Sequence, residues 1–202
     1  MTYLIGITGG SGAGKTYFAK QLCQHIGEEK CELISQDNYY IDRRNIKDHS
    51  KINFDHPSSI NFELLKQHIE LLKTGSEVEI PTYDFATHSR SSKTEIIKPN
   101  KITILDGTLI FSQNQISELI DCKIFIATNS KIRLNRRIER DKNERNREHS
   151  GIVKQWEQQV EPMYEKYIKN KIGDVDHIVS GIEYRAEILT ELIEQIPQIY
   201  SK

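Results

Sequence analysis

The segment Gly9-Gly10-Ser11-Gly12-Ala13-Gly14-Lys15-Thr16, close behind the apolar run Tyr3-Leu4-Ile5-Gly6-Ile7, decides the reading of this chain. It fits G-x-x-x-x-G-K-[ST], a loop that wraps phosphate. Glycine reaches backbone conformations that other residues resist, so successive N–H groups can turn inward around an anion. Tyr17-Phe18-Ala19-Lys20-Gln21-Leu22 reads as the start of a helix, which adds its positive N-terminal end. Lys15 is expected at the β- and γ-phosphates and the Thr16 hydroxyl on Mg²⁺. A strand before the loop and a helix after it separate this segment from a glycine-rich turn that binds nothing. The expected ligand is a nucleoside triphosphate.

Outward from the loop, strands and helices alternate, which means a parallel sheet. Tyr3–Thr8 is apolar nearly throughout, as a central strand covered on both faces should be. Phe18, Leu22 and Ile26 recur at helical spacing and Gly27 reads as a stop. Leu33-Ile34-Ser35 is a short strand running into Gln36-Asp37-Asn38-Tyr39-Tyr40, and residues 41–58 are polar and irregular. Phe62, Leu65, Ile69 and Leu72 mark a helix that ends at Gly75. Glu77–Ile80 and Thr94–Ile97 alternate and read as a hairpin inserted over about 76–98. Ile102–Asp106 is a strand ending in an acid, Lys123–Ala127 another, and Asp176–Val179 the last. Ser130 is expected to cap a basic helix, Gly151 to separate it from a helix holding Trp156, Val160, Met163, Tyr164 and Tyr167, and Pro197 to stop a closing helix over Glu183–Ile196. The expected architecture is one α/β domain over residues 1–202, three layers with a parallel central sheet.

With 28 basic and 29 acidic residues the net charge of −1 gives no general reason to expect nucleic acid or a membrane surface. Cys23, Cys31 and Cys122 are scattered without metal-site spacing, which points to a reducing compartment. No charged-then-apolar leader opens the chain and no apolar run approaches a bilayer span, so the cytoplasm is the expected location.

Phosphoryl transfer is mostly positioning and neutralisation of charge, with a carboxylate to prepare the acceptor hydroxyl. Asp37 and Asp106 both fall beyond strand ends, where ligands bind in such sheets. Asp106 suits Mg²⁺. Asp37, beside Tyr39 and Tyr40, suits a base next to a ring-shaped acceptor, its rival roles being a turn cap or a share in the metal. Between Lys131 and Arg147 there are eight basic residues against three acids. Arg133, Arg137 and Arg140 share one helical face, while Leu134 and Ile138 lie on another. Arginine's planar fork suits phosphate oxygens, so this run is expected to be a lid, over about 136–155, rather than a solvated face. On periodicity alone Phe54, Tyr83, Phe85 and His88 would be structural.

Asn53-Phe54-Asp55-His56-Pro57 and Pro81-Thr82-Tyr83-Asp84-Phe85-Ala86-Thr87-His88-Ser89-Arg90 change that reading. With Gly6–Thr16, Ser35–Tyr40 and Arg136–Arg147, in collinear order over roughly 3–170, they closely resemble the uridine kinase (uridine–cytidine kinase) family. The resemblance implies a P-loop kinase fold and Mg²⁺-dependent phosphorylation of the 5′-hydroxyl of uridine and cytidine by ATP or GTP, in pyrimidine salvage. It implies Asp37 as catalytic base, with Lys15 and Arg140 at the transferred phosphate. It places Asp55 and Gln155 at the ribose, Tyr83 and His88 at the pyrimidine edge, and Phe54 and Tyr40 around the nucleoside. Arg137 falls at ribose and phosphates, and Arg140, Arg145 and Arg147 at the phosphates; Thr16, Asp37 and Asp106 are the candidate metal ligands. A homo-oligomer is implied too, tetramers being usual in the family.

The chain departs from the family in three places. Asp106-Gly107 stands where Glu-Gly is usual, Asn146 where Gly is common, and Ile168–Asp174 matches weakly. Two other readings compete: a related kinase with another small acceptor, and a nucleotide-binding switch without turnover. The Tyr83/His88 segment speaks against the first, and Asp37 together with the arginines against the second.

Overall fold

The structure, a computed structural model, describes residues 2–46, 52–183 and 187–196. Strand β1 (Tyr3–Thr8) leads through the glycine-rich loop into helix α1 (Lys15–Ile26), and β2 (Cys31–Ser35) follows. Helix α2 (Phe62–Lys73) precedes an antiparallel hairpin, β3 (Val78–Asp84) and β4 (Ser89–Ile97). Then come β5 (Ile102–Asp106), the short α3 (Asn114–Ser117), β6 (Cys122–Ala127) and α4 (Ser130–Arg145). Helices α5 (His149–Gln155) and α6 (Glu161–Tyr167), strand β7 (His177–Ser180) and helix α7 (Glu187–Glu194) complete the order.

The main sheet has five strands in the order β2-β5-β1-β6-β7, every pairing parallel. Alternate residues face opposite sides, and both sides are covered. Leu4, Leu105 and Phe125 pack against Leu65, Ile69 and Leu72 of α2. Ile5, Ile7, Ile104, Ile124 and Ile126 pack against Phe18 and Leu22 of α1 and Leu189 and Leu192 of α7. This is the expected three-layer α/β/α arrangement, with the hairpin as a separate two-stranded sheet rooted in the core by Val78, Ile80 and Ile97.

Register places the chemistry. Asp106 pairs with Ile7 on one side and Ser35 on the other, so the ends of β1, β5 and β2 open onto one crevice. In the phosphate loop Gly12 has φ +76, and a Cβ there would overlap the Arg133 carbonyl oxygen. Only glycine fits between the loop and α4.

Several expected boundaries move. Asn129, not Ser130, caps α4, its side chain accepting from the Lys131 N–H. The break after α4 comes at Asn146, in the left-handed conformation at φ 49, and Gly151 lies inside α5. Between α5 and α6 the helix widens into one π turn over Trp156–Val160, where the Glu161 N–H reaches back to the Trp156 carbonyl. Pro162 has no N–H to continue the α pattern there. Pro197 and residues 184–186 lie outside the described residues.

Candidate active site

A cavity of about 570 Å³ opens at the carboxyl ends of β1, β2 and β5. One end is built by the phosphate loop. Helix α1 starts at Gly14 (φ 101) with no side-chain cap and no acid in its first turn, leaving its N–H groups for an anion. The Lys15 ammonium donates to the Gly10 carbonyl at 3.2 Å. Burial pulls its pKa below the ordinary value, against the pull of Asp106 and Asp37. Thr16 donates its hydroxyl to Asp106 Oδ2 at 2.5 Å. The shorter acid therefore still reaches the loop's threonine. Burial pushes the Asp106 carboxyl up, opposed by Lys15 and the Thr16 hydrogen bond. Its other oxygen, Oδ1, is buried and has no hydrogen-bond partner.

That orphaned oxygen beside a serviceable hydroxyl suits a hard cation. Mg²⁺ keeps several waters and takes one or two carboxylates plus substrate phosphates, so it does not need a cage of protein ligands. Among the described residues no group of three or more His, Cys, Asp or Glu forms such a cage. Thr16 and Asp106 fit the ion as found in phosphate sites.

Asp37 enters from the 3-10 turn after β2, Gln36–Tyr39, where the Ser35 hydroxyl accepts its backbone N–H at 3.2 Å. Gln36, which no sequence pattern singled out, is buried beneath it. Its side-chain oxygen accepts the Leu109 N–H at 2.8 Å and it packs so closely under Gly107 that a Cβ there would collide with it. Arg90 of the hairpin donates to the carbonyls of Tyr40 (3.0 Å) and Tyr39 (3.4 Å), pinning the same turn from outside.

The other end of the cavity is aromatic. Phe54 stacks on His88 with ring centroids 4.6 Å apart, and Tyr40 meets Phe54 and Phe85 edge-on. Phe54, Phe85, His88 and Tyr40 line the cavity; Tyr83 does not, packing instead against Tyr40 at 5.1 Å with its hydroxyl buried and unpartnered. His88 adopts φ 50, at the turn of the hairpin. Asp55 is fixed by Asn53, whose side chain accepts its backbone N–H at 3.0 Å. One Asp55 oxygen lies 3.7 Å from Arg137 and the other is buried without a partner. Burial lifts the Asp55 carboxyl above its ordinary pKa against the pull of Arg137, and Asp37 adds to the rise.

The arginine wall differs most from expectation. The buried face of α4 is charged, made of Arg133, Arg137 and Asp141, while Leu134 and Ile138 are only half-buried. Arg137 bridges the cavity, donating to Ser11 Oγ at 2.8 Å and Gln155 Oε1 at 2.9 Å. Arg140, Arg145 and Arg147 line the wall and converge on Asp141. The Arg145 guanidinium also lies 4.1 Å over the Phe85 ring, joining the arginine wall to the aromatic end. Arg133 does not face the cavity. It is 1% exposed, paired to both oxygens of Glu161 and stacked over Tyr164 at 3.9 Å, behind the phosphate loop. The π turn adds Gln158 and Gln159 to the lining beside Gln155.

The phosphate loop and the aromatic enclosure share one cavity, an arrangement suited to moving a phosphoryl group between two molecules. The chain is a kinase of the P-loop class. It belongs to the phosphoribulokinase/uridine kinase family, whose model matches residues 4–186. It is 35% identical over 201 residues to a uridine kinase of Clostridium tetani, covering 98% of this chain and 96% of the relative. With a uridine kinase of Halobacterium salinarum it shares 38% over 180 residues, 88% of this chain and 80% of that one. The phosphoribulokinase of Rhodobacter spheroides shares the fold, with a TM-score of 0.65 at 13% identity over 89% of this chain and 70% of that one. Among the described residues no helix is long and apolar enough to cross a membrane.

Proposed function

We propose that this kinase phosphorylates the 5′-hydroxyl of uridine and cytidine, with ATP or GTP as donor, to give the nucleoside monophosphates of pyrimidine salvage. The observation that carries the reading is the shared cavity: Asp37 lies in it with Lys15 and Thr16 and with the aromatic enclosure of Phe54, Tyr40, Phe85 and His88. Named uridine kinases align with almost the whole chain.

In this reading Asp37 takes the proton of the 5′-hydroxyl as its oxygen bonds to the γ-phosphorus, while the bond from phosphorus to the β-phosphate oxygen breaks and the nucleoside diphosphate departs. Lys15, Arg140, Arg145 and Arg147 meet the phosphate oxygens, and Arg137 spans ribose and phosphates. The unpartnered Asp55 oxygen, with Gln155, takes the ribose hydroxyls. His88 reads the base edge from the cavity wall, and Tyr83 supports Tyr40 and Phe85 from behind. Thr16 and Asp106, with Asp37 as a further candidate ligand, would hold Mg²⁺, which would neutralise charge on the donor phosphates. Residues 136–155 act as the lid, within one domain that assembles as a homo-oligomer.

The test is ADP or GDP production from ATP or GTP with Mg²⁺ against a panel of nucleosides, sugar phosphates and small alcohols. Turnover dependent on uridine and cytidine supports the reading. Turnover on another acceptor redirects it within the family, and triphosphate binding without acceptor-dependent turnover overturns it.

A further inference from the structure

Among the described residues, the acid that the arginine wall shares is Asp141, near the end of α4 and 0% exposed. Arg140 donates to Oδ1 through Nε at 3.0 Å and Nη2 at 2.8 Å. Arg147 donates to Oδ2 at 2.9 Å, Arg145 stands 3.5 Å from Oδ1, and Arg137 stands 3.7 Å from Oδ2. The same residue ends the helix: its carbonyl accepts the N–H of Asn146 and, at 3.1 Å, that of Arg147. One residue thus decides both where the chain leaves α4 and where the arginines on either side of that exit point.

Guanidinium groups this close repel one another, and left alone they would spread into solvent. A single buried carboxylate holds them together yet leaves most of their positive charge uncompensated. Burial pushes the Asp141 carboxyl up, but Arg140, Arg137 and Arg145 outweigh that and hold it below its ordinary pKa, so it stays ionised at neutral pH. Asp141 is not among the residues that line the cavity, so any effect on reaction must pass through its partners.

We propose that Asp141 is a positioning residue that sets Arg140, Arg145 and Arg147 in the array that meets the donor phosphates. The inference rests on the reading above that these arginines face the donor.

The test is a double-mutant cycle with steady-state kinetics and thermal melts: Asp141→Asn, Arg140→Gln/Arg147→Gln, and the three changes combined. Asp141→Asn is expected to lower kcat about 10²-fold and raise KM for ATP about tenfold, as loss of orientation does. The Kd for the nucleoside should stay within about threefold, and Asp141→Glu should recover to within about tenfold of the parent. In the Arg140→Gln/Arg147→Gln background the further loss of Asp141 should cost less than about threefold, because little is left to position. Equal losses in both backgrounds, or a fall in melting temperature with unchanged kinetics, would overturn the proposal. If Asp141→Asn does not fold, Asp141→Glu in both backgrounds makes the same comparison. If Arg140→Gln/Arg147→Gln itself leaves kcat and KM for ATP unchanged, the placement of the arginines at the donor fails first, and the role of Asp141 with it.

Discussion

Replacing Arg133 by methionine keeps most of the stem and removes the cation, and the consequences can be worked out contact by contact. The parent side chain makes charge-assisted bonds of 3.0 and 2.9 Å to Glu161, donates to the Thr128 carbonyl at 3.1 Å, and lies over the rings of Tyr164 and Trp156. Breaking a fully buried ion pair costs about 3–5 kcal/mol. The Glu161 side chain is 26% exposed, so water would partly solvate it once alone, and the pair belongs at or below the lower end of that range. The lost contact with the rings is worth ~1 kcal/mol, part of which methionine's own contacts with them replace. A net loss of about 2–3 kcal/mol in a chain this long lowers the melting temperature by roughly 5–10 °C. Arg133 also backs the phosphate loop: a Cβ on Gly10 would collide with its guanidinium. Arg133→Met should therefore weaken a non-hydrolysable triphosphate by about three- to tenfold as the loop loses its support. Circular-dichroism melts and calorimetric titration measure the two effects. A melting temperature within 1–2 °C of the parent (a shift of under ~1 kcal/mol), or a destabilised protein whose triphosphate Kd is unmoved, would refute the strut.

Asp37→Asn should lower kcat by about 10²–10⁴-fold while leaving uridine Kd within a few-fold; if kcat barely moves, Asp106 is the next candidate base. Asp55→Asn should melt higher than the parent at neutral pH and bind nucleoside more weakly, because ionising the buried Asp55 costs stability. The sign is that of a raised carboxyl: the folded protein holds the proton more tightly, so the penalty is absent below the unfolded pKa and grows as pH rises through the folded value. The gap in melting temperature should accordingly close toward pH 4, and a gap that is constant with pH would contradict this. Asn146→Ala, at a left-handed helix end, should cost about 1 kcal/mol, whereas Asn146→Gly should not destabilise; equal melts for the two would show that φ 49 is not held in solution.

The loop, the strand before it and the acids at strand ends were legible because their signals are local. Asp106 and Asp37 needed no more than knowing where β5 and β2 stop. Asp141 left a trace that was open to reading, since Arg137, Asp141 and Arg145 repeat at i, i+4 and i+8 on one helical face. Arg133 left none. The arginine run reads as a lid over phosphate, and the burial of this one member behind the loop depends on Glu161 and Tyr164 arriving from α6. The helix break moved from Gly151 to Asn146 for a similar reason. Glycine weakens a helix only slightly, whereas Asp141 captures the N–H groups that end α4.

By itself the sequence determined that a triphosphate-binding α/β kinase would form, because periodicity, glycine conformation and strand-end acids act within a few residues. Only the tertiary structure decided which charges face the cavity and which are buried behind it. Arg137 reaches Ser11 across 126 positions and Thr16 reaches Asp106 across 90, and no local spacing encodes either distance. A side chain's role in such a wall follows from what the fold leaves beside it once water is excluded, and that is settled only when the layers pack.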